Sequence, residues 1–253
     1  MRLFDLTGKT AVVTGSSRGI GRAIAGALAE AGARVVVSSR KAEPCEEAAA
    51  AIRAAGGTAV AIPCHVGEKA QLERLVAETR TRLGAIDILV CHAGINPHFG
   101  PLAEIDDRAF DRIMQTNVRS ILWLAHMVQP DMAAKRDGAI VITSSISGVR
   151  ASPNLGAYGI SKAAEMSLAR NLALEWGKHN IRVNCIAPGV IRTDFARALW
   201  EDQVRTERQL ARTPLGRIGE TDDVAGVVVM LASPAGKYIT GQTIIIDGGV
   251  TID

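Results

Sequence analysis

The stretch Thr14-Gly15-Ser16-Ser17-Arg18-Gly19-Ile20-Gly21 follows a short apolar run, Thr10 to Val13, and leads into an alanine-rich segment with helical periodicity. Strand, glycine-rich turn and helix in that order open a βαβ unit. Glycines let the chain turn sharply and bring its backbone close to a ligand, while the free N–H groups and dipole of a helix N-terminus favour a pyrophosphate. The spacing is G-x-x-x-G-x-G rather than G-x-G-x-x-G, so the strand-before, helix-after context carries the expectation of dinucleotide binding. The expected contacts here are Gly15, Ser17, Arg18, Gly19, Ile20 and Gly21.

Outward from this turn, Val- and Ile-rich runs alternate with longer Ala-rich segments. Strands are expected at Thr10 to Val13, Arg34 to Ser38, Thr58 to Pro63, Ile86 to Cys91, Ala139 to Thr143, Arg182 to Ile186 and Thr243 to Ile246. Helices are expected to begin near Gly19, Pro44, Lys69, Asp106, Tyr158 and Thr221. No linker or change of composition interrupts the alternation. The expected architecture is therefore α/β, a single Rossmann-like doubly wound domain over residues 1–253, with a seven-stranded parallel sheet and helices on both faces. Hydrophobic residues make up 47% of the chain but aromatics only 4%, so Ala, Val, Ile and Leu must build the core. Small aliphatic side chains suit helices packed closely on a parallel sheet. The stretch from Thr193 to Gly219, with Phe195, Leu199 and Trp200 among many charges, lies past the C-terminal end of a strand and is expected to form a small substrate lid.

The second strand ends in Ser38-Ser39-Arg40-Lys41, where NAD-binding domains place an acidic residue on the ribose hydroxyls. A hydroxyl and two cations stand there instead. Ser39, Arg40 and Lys41, with Arg18 as a second clamp, suit a 2′-phosphate, so NADP(H) is favoured over NAD(H).

Tyr158 precedes Lys162 by four residues, and the chain has only 2 tyrosines. On a helix, residues four apart share a face. A cation at that point favours the phenolate, so such a tyrosine can trade a proton with an alcohol or carbonyl oxygen.

Thr14-Gly15-x-x-x-Gly19-x-Gly21, Tyr158-x-x-x-Lys162 and Pro188-Gly189 after a late strand together resemble the short-chain dehydrogenase/reductase family. The resemblance runs from Asp5-Leu6-Thr7-Gly8-Lys9 to Tyr238-Ile239-Thr240-Gly241-Gln242 and Asp247-Gly248-Gly249. It implies Tyr158 as general acid or base, and Lys162 as the group that activates it and holds the nicotinamide ribose. Ser145, after the Ile140-Val141-Ile142 run, matches the serine that hydrogen-bonds the substrate oxygen; Ser144 and Ser147 compete, and the spacing to Tyr158 selects Ser145. Asn117 matches the asparagine that holds a relay water. The resemblance also implies cofactor contacts from His65, Val66, His92, Ala93, Gly94, Pro188, Gly189, Ile191 and Thr193. Two departures stand out: Cys91-His92-Ala93-Gly94 replaces the usual Asn-Asn-Ala-Gly, and His65-Val66 replaces an Asp-Val pair.

Several local strings, among them Cys64-His65-Val66-Gly67 and Asn96-Pro97-His98-Phe99-Gly100, look like the NADP-dependent carbonyl and retinal reductase branch. The implied reaction is hydride transfer between NADP(H) and a ketone, aldehyde or secondary alcohol. A 3-oxoacyl thioester reductase shares the same residues and is the alternative; a non-catalytic dinucleotide-binding regulator is the remote one. His98, Phe99 and Arg150 are further candidates for the substrate pocket.

A net charge of +3 without a basic block gives no reason to expect nucleic acid as a partner. Cys45, Cys64, Cys91 and Cys185 are scattered, with no metal-ligand spacing, and read as reduced structural thiols. No stretch has the length of apolar residues needed to cross a bilayer, and no apolar leader or Ser-Lys-Leu-type signal is present, so the cytoplasm is the expected location and no membrane partner is implied. The family resemblance implies a homotetramer.

Overall fold

The computed structural model describes residues 2–194 and 203–252. Its strands are β1 (Thr10–Thr14), β2 (Arg34–Ser38), β3 (Thr58–Ala61), β4 (Ile88–Cys91), β5 (Gly138–Thr143), β6 (Ile181–Pro188) and β7 (Thr243–Ile246). They form one sheet in the order β3-β2-β1-β4-β5-β6-β7, every pair parallel. The helices are α1 (Gly19–Glu30), α2 (Ala42–Ala54), α3 (Lys69–Leu83), α4 (Asp107–Met114), α5 (Ser120–Lys135), α6 (Gly156–Trp176), α7 (Gln203–Ala211) and α8 (Thr221–Ala232).

Side chains alternate across a strand, so neighbouring residues feed opposite cores. Val12, Val36, Leu89, Ile140 and Val183 point to one face, where Leu72 of α3, Leu124 and Val128 of α5 and Leu172 of α6 cover them. Val13, Val35, Val37, Val90 and Val141 point to the other, under Ile24 and Leu28 of α1, Ile52 of α2 and Val224 and Val228 of α8. The expected doubly wound sheet with both faces covered is what forms.

Strand ends differ from the sequence expectation for identifiable reasons. β4 begins at Ile88; Asp87 before it still donates its N–H to Thr10 O at 2.9 Å and accepts from Ala139 N at 3.0 Å, while its carboxylate accepts the Thr10 N–H at 2.9 Å and the Lys135 ammonium at 2.6 Å. β3 stops before Pro63, which has no N–H to offer. Gln115–Arg119 forms a π-helical turn that joins α4 to α5 and carries Asn117 inward. Such turns insert one extra residue per loop of helix and re-aim the side chains on it. Phe195, Leu199 and Trp200 lie outside the described residues.

Asp87 is 3% exposed at its side chain, while its partner Lys135 is 41% exposed. Its removal strands the Thr10 N–H between β1 and β4, but the ammonium can return to water. Asp87→Ala is expected to lower unfolding stability by about 2 kcal/mol, read as a fall in the urea midpoint at unchanged m-value.

Candidate active site

The sheet order reverses between β1 and β4, which opens a crevice at their C-terminal ends. Thr14 closes its floor: the hydroxyl oxygen accepts the N–H groups of His92 at 3.1 Å and Ala93 at 3.2 Å. The glycine turn lies directly on this floor. A Cβ at Gly21 would stand 2.4 Å from the Gly15 carbonyl oxygen and 2.7 Å from the His92 ring, and one at Gly15 would be 3.0 Å from the Ala93 backbone. Gly15 and Gly19 have φ of +70° and +55°, the left-handed region that favours glycine.

Arg18 begins α1 without a side-chain cap, leaving the first-turn N–H groups without a side-chain acceptor. The turn is bound to the end of β2 through Ser16, whose hydroxyl donates to Val13 O at 2.6 Å and accepts from Ser38 N at 2.9 Å. Beside it the Ser39 hydroxyl donates to that of Ser17 at 2.9 Å. Arg18, Arg40 and Lys41 are exposed around this pair. Among the described residues none of the three forms an ion pair with a carboxylate. A cradle that only glycine fits, uncapped N–H groups and three uncommitted cations match the shape and charge of a phosphorylated dinucleotide.

Other expected contacts ring the same crevice. His65 is half-buried, its Nδ1 accepting the Gly67 N–H at 3.2 Å, and Val66 is buried beside it. The His92 Nδ1 is buried with no hydrogen-bond partner, and burial of the ring, followed by the charge of Lys162, pushes its pKa down to about 4. A neutral imidazole thus stands where the family has an asparagine. Gly94 sits between two expected site residues, its Cβ direction lying 3.5 Å from both Asn117 Oδ1 and Lys162 Nζ. After β6, Gly189 packs against Asp247, Ile191 is buried and bridges to Gly219, and Thr193 lies beside Gly19.

The proton-handling side chains come from β5, α6 and the π turn. Ser145 ends the β5 segment and caps a short turn over Ile146–Gly148. Two close approaches press that turn onto α6: a Cβ at Gly148 would be 2.7 Å from the Lys162 carbonyl carbon, and one at Gly159 2.7 Å from the Ser147 carbonyl oxygen. The Ser145 hydroxyl accepts from Ser147 N at 3.1 Å, which leaves its own proton to donate. Ser144, the competing serine, is buried and its hydroxyl donates to the Lys162 carbonyl at 2.8 Å. It serves the helix backbone and lies in hydrogen-bond reach of the Glu165 carboxylate.

Lys162 Nζ lies 5.3 Å from the centre of the Tyr158 ring. Asn117 is fully buried; its amide donates to Ile95 O and Ser161 Oγ, each at 3.0 Å, and its oxygen accepts from Ile95 N at 2.9 Å. Ser161 in turn donates to the Tyr158 carbonyl at 2.8 Å. Asn117 therefore connects the loop after β4 to the first turn of α6. Arg150 donates to the Val250 carbonyl, so this guanidinium is engaged by the C-terminal segment. His98 Nε2 lies 3.1 Å from Pro101 O, and Phe99 is 62% exposed.

One residue escaped the sequence reading. Glu165, three positions after Lys162, contacts its ammonium through both carboxylate oxygens at 2.8 and 3.0 Å. Burial pushes the Glu165 carboxyl up to about 7 against the pull of Lys162. Burial also works against the ammonium, but Glu165 and Tyr158 outweigh it and hold Lys162 above its ordinary value. A carboxylate on the inward face of a helix, one turn from a lysine, was the available signal. The thiols play no comparable part: burial pushes Cys64 up to about 11 and raises Cys91 and Cys185 as well, so all three stay protonated.

Comparison with known proteins places this geometry in context. A family model described as enoyl-(acyl carrier protein) reductase matches residues 15–251. Dehydrogenase/reductase SDR family member 4 of Bos taurus is 44% identical over 244 residues, 96% of this chain and 88% of that protein. The mitochondrial SDR family member 2 of Homo sapiens is 40% identical, over 96% of this chain and 86% of its own length. Among solved structures, a gluconate 5-dehydrogenase from Burkholderia cenocepacia J2315 in complex with NADP and tartrate superposes with a TM-score of 0.95 at 35% identity, covering 100% of this chain and 98% of that one. A short-chain type dehydrogenase/reductase from Mycobacterium marinum gives 0.93 at 37% identity, covering 99% and 98%.

Gly21→Ala tests the cradle. The added methyl meets the Gly15 backbone as well as the His92 ring, so the turn must open. Nicotinamide dinucleotide affinity is expected to fall by tenfold or more, about 1.4 kcal/mol, while far-UV circular dichroism stays that of the parent.

Proposed function

The chain belongs to the short-chain dehydrogenase/reductase family, and from that premise we propose that it reduces ketones or aldehydes with NADPH and runs in reverse as a secondary-alcohol dehydrogenase. An oxidoreductase acting on alcohol and carbonyl groups is what its relatives make it; the cofactor preference and the substrate are our reading. A nicotinamide dinucleotide, when bound, supplies the hydride. The protein supplies position, a proton and electrostatic support.

In this reading Gly15, Ser17, Gly19, Ile20 and Gly21 receive the pyrophosphate, and Arg18, Ser39, Arg40 and Lys41 receive the 2′-phosphate. His65, Val66, His92, Ala93, Gly94, Pro188, Gly189, Ile191 and Thr193 complete the crevice. Negative charge builds on the carbonyl oxygen as it is reduced, so two hydroxyl donors must converge on that atom. Ser145, with its proton uncommitted, stabilises the charge. Tyr158 donates the proton, Lys162 supports it, and Asn117 keeps the path from α6 to the β4 loop in place. The observation that carries this assignment is the Lys162 ammonium 5.3 Å from the Tyr158 ring, in a pocket where the lysine is 4% exposed.

The family model's acyl-carrier-protein description supports a second reading, reduction of a 3-oxoacyl thioester by the same groups. The stretch of about 193–219, which contains α7 and is flanked by the Ile191–Gly219 bridge, is the proposed substrate lid. A cytoplasmic homotetramer completes the proposal. The four cysteines, free and buried, agree with a reducing compartment, and among the described residues no helix is long and apolar enough to cross a membrane.

Tyr158→Phe removes only the transferable proton. Carbonyl reduction followed by nicotinamide absorbance is expected to fall by about 10³-fold, with NADPH binding largely retained; sustained turnover would refute the assignment. Arg40→Ala removes one charged phosphate contact, so NADPH affinity should drop by roughly tenfold or more while NADH affinity changes little. Equal losses would point away from a 2′-phosphate site.

A further inference from the structure

The loop after β3, His65-Val66-Gly67, is braced from both sides. The His65 N–H donates to Gln71 Oε1 at 2.8 Å, and the Gly67 carbonyl accepts from Gln115 Nε2 at 3.0 Å. The Cys64 N–H donates to Ser39 O at 2.9 Å, which ties the loop to the end of β2, the strand next to β3 in the sheet. Where Ser39, Arg40 and Lys41 receive the 2′-phosphate, the base hangs from the neighbouring carbon of the same ribose. The chain that adjoins Ser39 is then the chain beside the base, and that chain is this loop.

The His65 ring accepts the Gly67 N–H on Nδ1 at 3.2 Å, and a Cβ at Gly67 would crowd that seat, 3.0 Å from Cε1 of the ring. A neutral imidazole has one N–H and one acceptor nitrogen, and an imidazolium has two N–H groups. With Nδ1 accepting, the proton of the neutral ring is on Nε2; in the charged ring Nε2 keeps it. Nε2 is therefore a donor in either state. Among the described residues it makes no hydrogen bond, and neither does the Val66 N–H that follows it. Two neighbouring donors, with no acceptor beside them, are left for a ligand.

We infer that His65 is a specificity-determining residue that makes the base site indifferent to what the purine carries at its sixth position, so that adenine and hypoxanthine dinucleotides bind alike. Adenine presents the acceptor N1 beside a donor, its amino group; hypoxanthine presents the donor N1–H beside an acceptor, O6. Adenine N1 takes the Val66 N–H while its amino group opposes the His65 Nε2–H. Hypoxanthine O6 takes the His65 Nε2–H while its N1–H opposes the Val66 N–H. Each base satisfies one donor and leaves the other unmatched, so neither gains on the other. This deepens the proposed function and rests on its reading that the end of β2 receives the 2′-phosphate.

Titration calorimetry of NADPH and of its hypoxanthine analogue into the wild-type protein reads binding without turnover. The two dissociation constants are expected to agree within about fivefold, and a larger preference for either base overturns the inference. H65D puts an acceptor in place of the donor. Beside the Val66 N–H it matches adenine at both positions and opposes hypoxanthine at both, so adenine should gain about tenfold or more over hypoxanthine. A base ratio in H65D equal to that of the wild type also overturns the inference, whereas a merely structural role for His65 would weaken both dinucleotides together and leave the ratio where it was. If H65D does not fold, the ring nitrogen resonances of His65 in the wild type decide: Nε2 is expected to shift with both dinucleotides, and a shift with only one or with neither overturns the inference. NADH and its hypoxanthine analogue are titrated alongside. Failure of the 2′-phosphate reading shows as equal affinity for NADPH and NADH, while the base ratio is read within each pair.

Discussion

The site depends on how closely backbone can approach backbone where the sheet order reverses. Gly21 lies against the Gly15 carbonyl and the His92 ring with no space for a β-carbon, and Gly15, at φ +70°, lies tightly against Ala93. Thr14 holds both partners by accepting the His92 and Ala93 N–H groups. That contact seats α1 at the mouth of the crevice, and through the β4 loop it determines where Gly94, and so Lys162 and Asn117, can stand.

A second close approach serves the chemistry. The turn after β5 carries Ser145 and can reach α6 only because Gly148 and Gly159 have no side chains. Ser145 is thus carried on a turn pressed against the helix that bears Tyr158 and Lys162. Asn117 completes the arrangement from a π turn. Its three hydrogen bonds link Ile95 and Ser161, so one buried amide spans the loop after β4 and the first turn of α6. A regular helix from Asp107 to Lys135 would direct that amide elsewhere.

Electrostatically the site separates its charges by depth. Arg18, Arg40 and Lys41 stand in water at the outer end, where a phosphate can approach them without loss of their own solvation to a carboxylate. Lys162 and Glu165 stand in the interior, where a charge is tolerated only with its partner. His92 is neutral between them. The replacement of asparagine by Cys91-His92 therefore adds no charge to the crevice; it adds a buried ring beneath the glycine turn.

The sequence by itself determined the fold and named most of the candidate site. The alternation of Val/Ile runs with Ala-rich helices placed all seven strands within two residues at each end, because a strand buried on both faces must be apolar throughout. The shared face of Tyr158 and Lys162 was legible because helical spacing is local, while Ser145 was proposed from the family resemblance, with spacing to Tyr158 choosing it over Ser144. What only tertiary structure decided are contacts between elements distant in the chain. The fate of Arg150 depends on the C-terminal segment, the carboxylate of Asp87 is met by Lys135 from a distant helix, and the setting of Asn117 depends on a π turn. Glu165 is the sharpest case: its spacing to Lys162 is local, yet the same spacing on an exposed face is an ordinary surface pair. Only the packing of α6 against β5 and β6 removes water from around it, and the loss of water leaves ammonium and carboxylate buried together.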